Sequence, residues 1–328
     1  MQRQLLSLLA DGMQHSGNDL AAALGVTRAA IWKQIRQLRE LGVDIRAQAG
    51  QGYSLPAALD LLEPDLIRQE LTPQIRLTVN DLQVLWVTES TSDYLLQRAP
   101  FEPGRASVCL AEYQKGGRGR RGRQWFAAAG SGICISLGWC FPAVPAGLSC
   151  LGLAAGVAVL RAVQVCGIRE AQLKWPNDLL VDGKKLAGIL VDVQGESGGP
   201  LQVVIGVGLN YAPDPLAAGA AVAAGGIAPV SMVELDSGVL PRRNKVAAEL
   251  VTAMIQVMQQ FEQSGFEQLA DEWQRADFLR GKVVQVTATG NTAVGVAQGI
   301  SSDGQLLVST NGELRRLMTG DVTVRAAS

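Results

Sequence analysis

The sequence predicts a multidomain α+β protein with a helical unit, a central mixed domain and a small all-β unit in that order. Two short helices, a brief turn, a longer helix and a hairpin pattern occupy the first 55 residues. Apolar strand-like runs then alternate with helical runs. Short alternating strands separated by TGN, DG and NG fill about the last 45 residues. We place the domain bounds at 1–60, 65–275 and 277–328.

Composition limits the classes of function. The chain has 328 residues, of which 48% are hydrophobic, so it can bury a large core and is not globally disordered. Its net charge of −1 is too low for a protein that only coats nucleic acid, so any basic function must be local. The single histidine, His15, argues against a His-ligated metal centre and a Ser-His triad.

The same sequence predicts a reducing compartment. There are five cysteines without a C-x-x-C pair, an odd count that indicates reduced structural thiols. The N-terminus lacks a signal-peptide pattern, and the apolar run at 151–160 is too short to span a bilayer. We therefore expect a soluble, cytoplasmic protein without a membrane partner.

The N-terminal pattern indicates a winged helix-turn-helix. In VTRAAIWKQIRQLRELG, Thr27 suits an N-cap and Gly42 suits the left-handed position after the helix. Ile31, Ile35 and Leu38 share one helical face. The following VDIRAQAGQGYSL alternates and turns at glycines, which predicts the hairpin of the wing.

The opposite face of the third helix is a candidate DNA-binding surface, because basic residues there can reach base edges or phosphates. Its candidate DNA-binding residues are Thr27, Arg28, Trp32, Lys33 and Arg36. The alternatives are a solvated face or a protein-binding one, and Trp32 could simply cover a neighbouring helix. The segment 56–65, with a proline at each end, is predicted to be a linker.

The central domain is predicted to contain a mostly antiparallel sheet, a long buried helix at 148–167 and an amphipathic helix at 242–265. Between its last strand and that amphipathic helix, residues 211–230 are rich in Ala, Gly and Pro, which predicts a mobile or partly ordered loop. The C-terminal strands predict a small β-barrel.

The segment KGGRGRRGRQW, residues 115–125, concentrates charge and flexibility. Its glycines disfavour helix and strand, while its arginines offer fixed forks for phosphate or carboxylate. We expect it to become ordered on an anionic ligand, with a solvated basic loop as the alternative. It lacks the Walker A pattern. Trp125 could stack on a ligand or anchor the loop.

Polar residues follow several other predicted strands. In KWPNDLLVDGKKLAGILVD, a turn at 176–178 presents an amide and a carboxylate near Lys174. Lys185 enters an apolar strand close to Gly188, where a ligand could approach the backbone, or it merely edges a hairpin. The hydroxyls of ESTS at 89–92 could cap a helix or bind a polar ligand. The two glycines of GVGLN at 206–210 fit a close approach or a plain core strand.

Taken in order, AEYQKGGRGRRGRQW, KWPNDLLVDGKKLAGILVD and VIGVGLN closely resemble the biotin–protein ligases. With the preceding winged helix, the chain resembles the bifunctional form, a biotin–[acetyl-CoA-carboxylase] ligase and biotin operon repressor. The resemblance covers all three units. It implies a biotin/lipoate-ligase-like catalytic domain with a mixed sheet and an SH3-like C-terminal β-barrel.

The resemblance implies two steps. The biotin carboxylate attacks the α-phosphate of Mg·ATP, which gives biotinyl-5′-AMP and pyrophosphate, and a lysine of biotin carboxyl carrier protein then attacks the adenylate. The implied biotin-binding residues are Ser90, Thr91, Ser92, Gln114, Gly117, Arg118, Gly119, Arg120, Lys185 and Gly188. The implied ATP- or adenylate-binding residues are Arg121, Arg123, Trp125, Lys174, Asn177 and Asn210.

Arg120 and Lys185 are the implied catalytic residues. Lys185 would meet the carboxylate and the charge developing at the α-phosphate, and Arg120 would retain the adenylate. Two anions must meet, so cationic groups in a dry site would offset their repulsion. Asp178 would contact Mg²⁺ or position a lysine, or it has a structural role only. Relatives carry an aromatic residue in the adenine loop, where Ile227 is the nearest match here.

The resemblance also implies regulation. The adenylate would promote homodimerisation and act as corepressor, and two winged helices would then read a palindromic operator. Apo-carrier protein would compete for the dimerisation surface. The alternatives are a biotin-sensing transcription factor without ligase turnover, and a lipoate–protein ligase.

Overall fold

The N-terminal unit is a winged helix-turn-helix, as predicted. The computed structural model describes residues 1–195, 199–223, 226–235, 238, 240–288, 291–318 and 322–326. The first of these ranges begins with three helices, α1 (Gln2–Leu9), α2 (Gly17–Leu24) and α3 (Arg28–Glu40), and the antiparallel wing formed by β1 (Arg46–Gln48) and β2 (Gly52–Ser54).

Local capping explains where these helices begin and end. The Thr27 hydroxyl accepts a hydrogen bond from the Ala30 amide at the start of α3, and Ser16 does the same for Asp19 at the start of α2. Gly25 ends α2 in the left-handed region with φ of 64°. Ile31, like its predicted companions on the same face, is fully buried.

The central domain is built on a seven-stranded mixed sheet. Its strand order is β3-β4-β5-β9-β8-β7-β6, and only β3 and β4 run parallel. The strands are β3 (Val79–Thr88), β4 (Ala106–Gln114), β5 (Gly132–Phe141), β6 (Gln172–Lys174), β7 (Asp178–Val181), β8 (Lys184–Gln194) and β9 (Leu201–Asn210). The helices are α4 (Pro64–Glu70), α5 (Pro73–Thr78), α6 (Thr91–Leu96), α7 (Leu151–Val165), α8 (Pro215–Ala223), α9 (Met232–Leu235), α10 (Arg243–Ser264) and α11 (Glu267–Arg275).

Helix α7, packed beside α10, lies in the centre of this domain. Together with the 3₁₀ turn before it, α7 forms an apolar helical stretch, Leu148–Val165, whose length and composition would suit a membrane span. This stretch is longer than the run at 151–160 that the sequence suggested. Two thirds of it, 67%, is buried inside the protein, which is the environment of a core helix.

The segment 211–230, predicted to be a mobile or partly ordered loop, contains a helix that the sequence analysis did not predict. Within 211–230, residues Pro215–Ala223 form helix α8, and residues 224 and 225 lie outside the described residues. Alanine is the strongest helix former, and the Asp214 side chain accepts a hydrogen bond from the Ala217 amide, which offsets the glycine in this helix.

The predicted linker at 56–65 contains no helix or strand up to residue 63, as expected, but it is packed against the central domain. Helix α4 already begins at Pro64, and Leu62 is fully buried. The Leu62 amide donates to Glu112 on β4 at 2.6 Å, and the Leu61 carbonyl accepts from Asn244 on α10 at 2.8 Å. This segment is therefore fixed to the central domain.

The C-terminal unit is a small antiparallel sheet with the order β13-β12-β11-β10-β14. Its strands are β10 (Val283–Ala288), β11 (Asn291–Ile300), β12 (Leu306–Thr310), β13 (Glu313–Leu317) and β14 (Val322–Ala326). Asn311 and Gly312 form the tight turn between β12 and β13, both with positive φ, as the NG signal predicts. The domain bounds at 1–60, 65–275 and 277–328 stay predictions.

Candidate functional site

One cleft gathers almost all of the sequence-predicted ligand residues. It encloses about 1100 Å³ of empty space, part of it open to solvent, and lies over β8 and β9 beside the 115–125 loop. The predicted residues that line it are Ser90, Thr91, Ser92, Gln114, Arg118, Gly119, Arg120, Arg121, Arg123, Trp125, Lys174, Asn177, Asp178, Lys185 and Gly188. These residues come from distant parts of the chain, so their convergence is a property of the fold.

The inner end of the cleft carries a network of neutral hydroxyl and amide groups. Thr91 donates its backbone amide to the Gln114 side-chain oxygen at 2.7 Å, and its hydroxyl lies 2.7 Å from that of Ser136. Ser92 bonds to the same Ser136 hydroxyl at 3.0 Å. Ser90, which caps α6, is 3% exposed. Such a network suits a neutral polar ligand group.

Ser136, which supports the cleft residues Thr91 and Ser92 without lining the cleft itself, is a site residue that the sequence analysis missed. It is fully buried in β5, whose residues are otherwise almost all apolar. A hydroxyl in the middle of GICISLGWC was the available signal, since buried hydroxyls require partners. Its partners on α6 are 44 and 45 residues away in the chain, so the sequence could not name them.

Glycines make the sheet surface flat enough for a ring to lie on it. Gly188 on β8 is paired directly with Gly208 on β9. The Trp125 ring packs against both, and a Cβ at Gly208 would occupy the space of that ring. A Cβ at Gly206 would lie 2.6 Å from the Ser92 hydroxyl oxygen. Gly188 and Gly208, which were predicted to allow a close approach of a ligand to the backbone, allow the close approach of the Trp125 ring.

The basic loop is more structured than its glycine content predicted. It closes as a narrow hairpin in which Trp125 donates to the Gly117 carbonyl at 2.8 Å and Gly119 donates to the Arg123 carbonyl at 2.7 Å. A 3₁₀ turn with Arg121 at φ of 59° forms its tip. The expectation that this segment becomes ordered on an anionic ligand stays a prediction.

Arg118 anchors that hairpin to the sheet. Its guanidinium forms a bidentate pair with Asp192 on β8, at 3.2 and 2.8 Å, and reaches Asp93 on α6 at 2.9 Å. The Asp192 carboxylate raises the pKa of Arg118 above its usual value. Although Arg118 lines the cleft, most of its hydrogen-bonding capacity is directed at these carboxylates.

Lys185 enters the cleft because of a β-bulge. The register of β7 against β8 shifts so that Leu179 pairs with Ala187 while Leu180 pairs with Lys185. The extra residue puts Lys185 and Gly188 on one face, which a regular strand would not do at a separation of three. The Lys185 ammonium then lies 2.5 Å from an Asp178 carboxylate oxygen.

The rim of the cleft is strongly cationic. Six basic side chains and one carboxylate, that of Asp178, line it among the described residues. Burial lowers the pKa of Arg120, while the nearby Asp178 charge acts in the opposite direction. An arginine stays charged nonetheless, so the rim favours an anion such as a phosphate or a carboxylate.

Two predicted ligand residues do not line the cleft in the part of the chain that the structure describes. Gly117 is buried at the base of the hairpin, where a Cβ would lie 3.1 Å from the Gln114 amide nitrogen. The Asn210 side chain donates to the Lys185 carbonyl at 3.0 Å. Both support residues that line the cleft rather than facing it themselves.

Asp178 fits a metal that arrives with a nucleotide. Within the described ranges there is no group of three or more His, Cys, Asp or Glu side chains that could hold a metal ion. Mg²⁺ commonly binds through one or two carboxylates plus substrate phosphates. A single carboxylate beside a cationic rim matches that donor set.

The predicted DNA-binding face of α3 is exposed. Thr27, Arg28, Trp32, Lys33 and Arg36 all lie on the surface. Trp32 is 58% exposed and does not cover a neighbouring helix; instead the Arg36 guanidinium lies 5.5 Å from its ring centroid. This exposed face of α3 has the geometry of a surface that could enter a groove of DNA.

Comparison with known families matches three segments of the chain. Residues 84–210 match the biotin/lipoate A/B protein ligase family, residues 1–54 an HTH domain, and residues 281–325 the biotin protein ligase C-terminal domain. Two relatives match nearly end to end, and both are named bifunctional ligase/repressor BirA. The Salmonella typhimurium protein is 36% identical over 98% of this chain and 97% of its own length, and the Escherichia coli protein 35% over 99% and 97%.

Among solved structures, the biotin protein ligase from Aquifex aeolicus in complex with biotin and ATP has a TM-score of 0.64. It is 22% identical and covers 76% of this chain and all of its own, so it supports the fold alone. The winged helix, the mixed sheet and its cleft are thus those of a ligase fused to a DNA-binding unit. The chain belongs to the biotin protein ligase family, and its full-length relatives are bifunctional ligase/repressors.

Proposed function

We propose that the chain is an ATP-dependent biotin–protein ligase that makes biotinyl-5′-AMP and transfers biotin to a lysine of biotin carboxyl carrier protein. We propose further that it is a biotin-dependent repressor of biotin synthesis genes, with the adenylate as corepressor. One observation carries the ligase proposal. The neutral hydrogen-bonding network at the inner end of the cleft, called the floor below, and the cationic rim belong to the same cleft.

The floor fits the ureido ring of biotin. That ring is neutral and has both donors and acceptors, which matches the hydroxyl and amide groups of Ser90, Thr91, Ser92 and Gln114. Lipoate has no polar ring and would add no hydrogen bonds to those that these groups already make with one another. The floor therefore favours biotin over lipoate.

The rim fits the reacting anions. A carboxylate oxygen of biotin attacks the α-phosphorus of ATP, and pyrophosphate leaves with the electrons of the broken P–O bond. Lys185 would stabilise the carboxylate and the charge that develops at phosphorus, and Arg120 would hold the adenylate. Mg²⁺ bound to the ATP phosphates, with Asp178 as a candidate ligand, would add neutralising charge.

The nucleotide would be held by the remaining cationic and polar groups of the rim. These are Arg121, Arg123, Trp125, Lys174 and Asn177, with Asn210 acting indirectly through the Lys185 carbonyl. In the second step the carrier lysine attacks the acyl carbon and AMP leaves. The hairpin at 117–125 would limit the access of water to the mixed anhydride.

The proposal that the chain is a repressor rests on the exposed basic face of α3 and on the two full-length relatives. An adenylate-promoted homodimer would present two such faces to a palindromic operator, and carrier protein would compete with dimerisation. We propose that the protein works in the cytoplasm, because all five cysteines are free and buried. Burial raises the pKa of the Cys134 thiol to about 11, so it stays protonated.

The decisive experiment is transfer of labelled biotin to apo-carrier protein in the presence of ATP. The proposal expects stoichiometric labelling of one lysine, and no labelling with active carrier would contradict it and favour the sensor alternative. Thermal shifts with biotin and with lipoate test the substrate, since a larger shift with lipoate would favour lipoate ligation. A gel shift on the chain's own biotin-gene promoter, with and without biotin plus ATP, tests repression.

A further inference from the structure

The buried indole of Trp175 links the cleft to the C-terminal sheet domain. Trp175 lines the cleft together with its neighbours Lys174 and Asn177, and it is only 1% exposed. Its indole N–H donates to the Gly304 carbonyl at 3.0 Å, across 129 residues of sequence. A buried tryptophan N–H needs a partner, and this one finds it in the neighbouring domain.

The turn that contains Gly304 is closed by two backbone hydrogen bonds. Ser301 donates its amide to the Gln305 carbonyl at 2.9 Å, and Gly304 donates to the Ser301 carbonyl at 3.0 Å. Gly304 has φ of 80°, a conformation that favours glycine. The carbonyl that Trp175 uses is thus held in one orientation.

The same turn is docked on the start of α7. The Ser149 hydroxyl donates to the Asp303 carbonyl at 2.9 Å. A Cβ at Gly304 would lie 2.9 Å from the Cys150 sulfur and 3.1 Å from a Leu153 methyl carbon. A larger residue at this position requires that the turn or the Cys150 and Leu153 side chains move.

A second contact from the domain junction holds the strand that precedes Trp175. Strand β6 is an edge strand of the seven-stranded sheet and pairs there only with β7. On its outer side, Leu173 donates to the Ala276 carbonyl and accepts from Phe278, both at 2.8 Å. The segment Ala276–Phe278 leads directly into the C-terminal domain.

We infer that the C-terminal sheet domain sets the geometry of the nucleotide side of the cleft through the turn at 301–305, with Trp175 as the positioning residue. Lys174, Asn177 and Asp178 lie on either side of Trp175, so movement of its ring moves them together. Asp178 in turn is paired with Lys185. A displacement of about 1 Å in such groups can cost about 100-fold in rate. This inference rests on the proposed function for its choice of substrate.

The chain offers a matched pair of variants to test it. Gly304 and Gly312 both lie in turns of the C-terminal domain, with φ of 80° and 84°. A Cβ at Gly312 would meet nothing within 4 Å, whereas one at Gly304 would meet Cys150. Gly304→Ala and Gly312→Ala therefore carry a similar backbone penalty, but only the first crowds the turn that holds Trp175 against Cys150 and Leu153.

The measurement is biotin-dependent exchange of pyrophosphate into ATP, with kcat and the two KM values determined separately. For Gly304→Ala we expect kcat/KM for ATP to fall by about tenfold or more, with KM for biotin within about twofold of the wild type. Gly312→Ala should match the wild type in all three quantities. Trp175→Phe, which keeps the ring and loses the N–H, should reproduce the Gly304→Ala pattern.

A rescue variant separates positioning from misfolding. Cys150→Ala removes the sulfur that the new methyl group would meet, so Gly304→Ala with Cys150→Ala should recover most of the kcat/KM for ATP. Equal behaviour of Gly304→Ala and Gly312→Ala, or equal loss for biotin and ATP, would overturn the inference. If the wild type shows no exchange, the proposed function fails instead, and calorimetric ATP binding by the same variants then decides the inference.

Discussion

Arg243 and Glu112 form a fully buried ion pair, with a nitrogen–oxygen distance of 2.7 Å, at the junction of the winged helix and the central sheet. The other carboxylate oxygen of Glu112 accepts the Leu62 amide, while Arg243 also donates to the carbonyls of Asp60 and Gly132. A buried charge is tolerated only with such complete pairing. The pair therefore fixes the segment between the two units rather than simply adding stability.

The first prediction follows from breaking this pair. Glu112→Ala leaves the Arg243 guanidinium buried without its counter-ion, so the free energy of unfolding should fall by about 3–5 kcal/mol. Urea denaturation followed by far-ultraviolet circular dichroism measures it. Glu40→Ala removes a carboxylate from an exposed pair with Arg36 and should change stability by less than about 0.5 kcal/mol. Equal effects of the two variants would argue against this role of the Arg243–Glu112 ion pair.

The second prediction concerns retention of the adenylate by Arg120. Arg120→Gly removes a half-buried guanidinium from the rim of the cleft, so biotinyl-5′-AMP should escape and label lysines at many positions. Mass spectrometry of a bystander protein and apo-carrier protein, mixed with the variant, biotin and ATP, measures this labelling. Lys115→Ala removes an exposed cation just before the hairpin and should label the carrier lysine alone. Labelling confined to the carrier lysine in both Arg120→Gly and Lys115→Ala would contradict the role of Arg120 in retaining the adenylate.

The third prediction separates DNA binding from ligation. Arg28→Ala and Arg36→Ala each remove one cation from the exposed face of α3, so operator affinity should fall and its salt dependence should weaken. Biotin transfer to the carrier should persist at the wild-type rate, since the cleft is unchanged. Gel shifts at several salt concentrations measure the first effect. Arg169→Ala, an exposed cation of the central domain, is the charge-matched control. An affinity unchanged in the α3 variants would move the DNA-binding face elsewhere.

Local patterns explain what the sequence could predict. The caps Ser16 and Thr27 and the glycine at 25 are decided within one or two turns of chain, so the winged helix and its outward face followed from the sequence. The glycine and arginine segments likewise indicated the cleft. The Ala-rich stretch at 215–223 misled, because its composition suits a loop or a helix and the Asp214 cap decides between them.

Long-range partners explain what the sequence could not predict. Asp192 lies 74 residues from Arg118, and without it Arg118 looks equivalent to Arg120. The docking of 60–62 on Glu112, 50 residues from Leu62, likewise turns a predicted linker into a fixed segment. Spacing along the chain carries no information on such pairs, which depend on how the sheet and helices pack.

The fourth prediction concerns the pH dependence of stability at the junction with the C-terminal domain. Burial raises the pKa of Asp277 to about 6, against an ordinary value of 3.8, and the amide of Leu279, which donates to its carboxylate at 2.9 Å, offsets only part of this. The folded state thus binds a proton more tightly than the unfolded state. This residue's contribution to stability is therefore greatest below about pH 4, falls as the pH rises to 6, and is then constant.

Asp277→Asn keeps an oxygen that can accept the Leu279 amide hydrogen bond and removes the ionisation. We expect the variant to gain stability relative to the wild type as the pH rises from 4 to 6.5, by at most about 3 kcal/mol, because a shift of one pKa unit corresponds to about 1.4 kcal/mol. Urea denaturation at several pH values measures the difference. Asp271→Asn, which removes an exposed carboxylate from α11, corrects for the loss of one negative charge. A difference that is flat over this range, or that favours the wild type at higher pH, would show that the Asp277 carboxyl ionises as readily in the folded protein as in the unfolded chain.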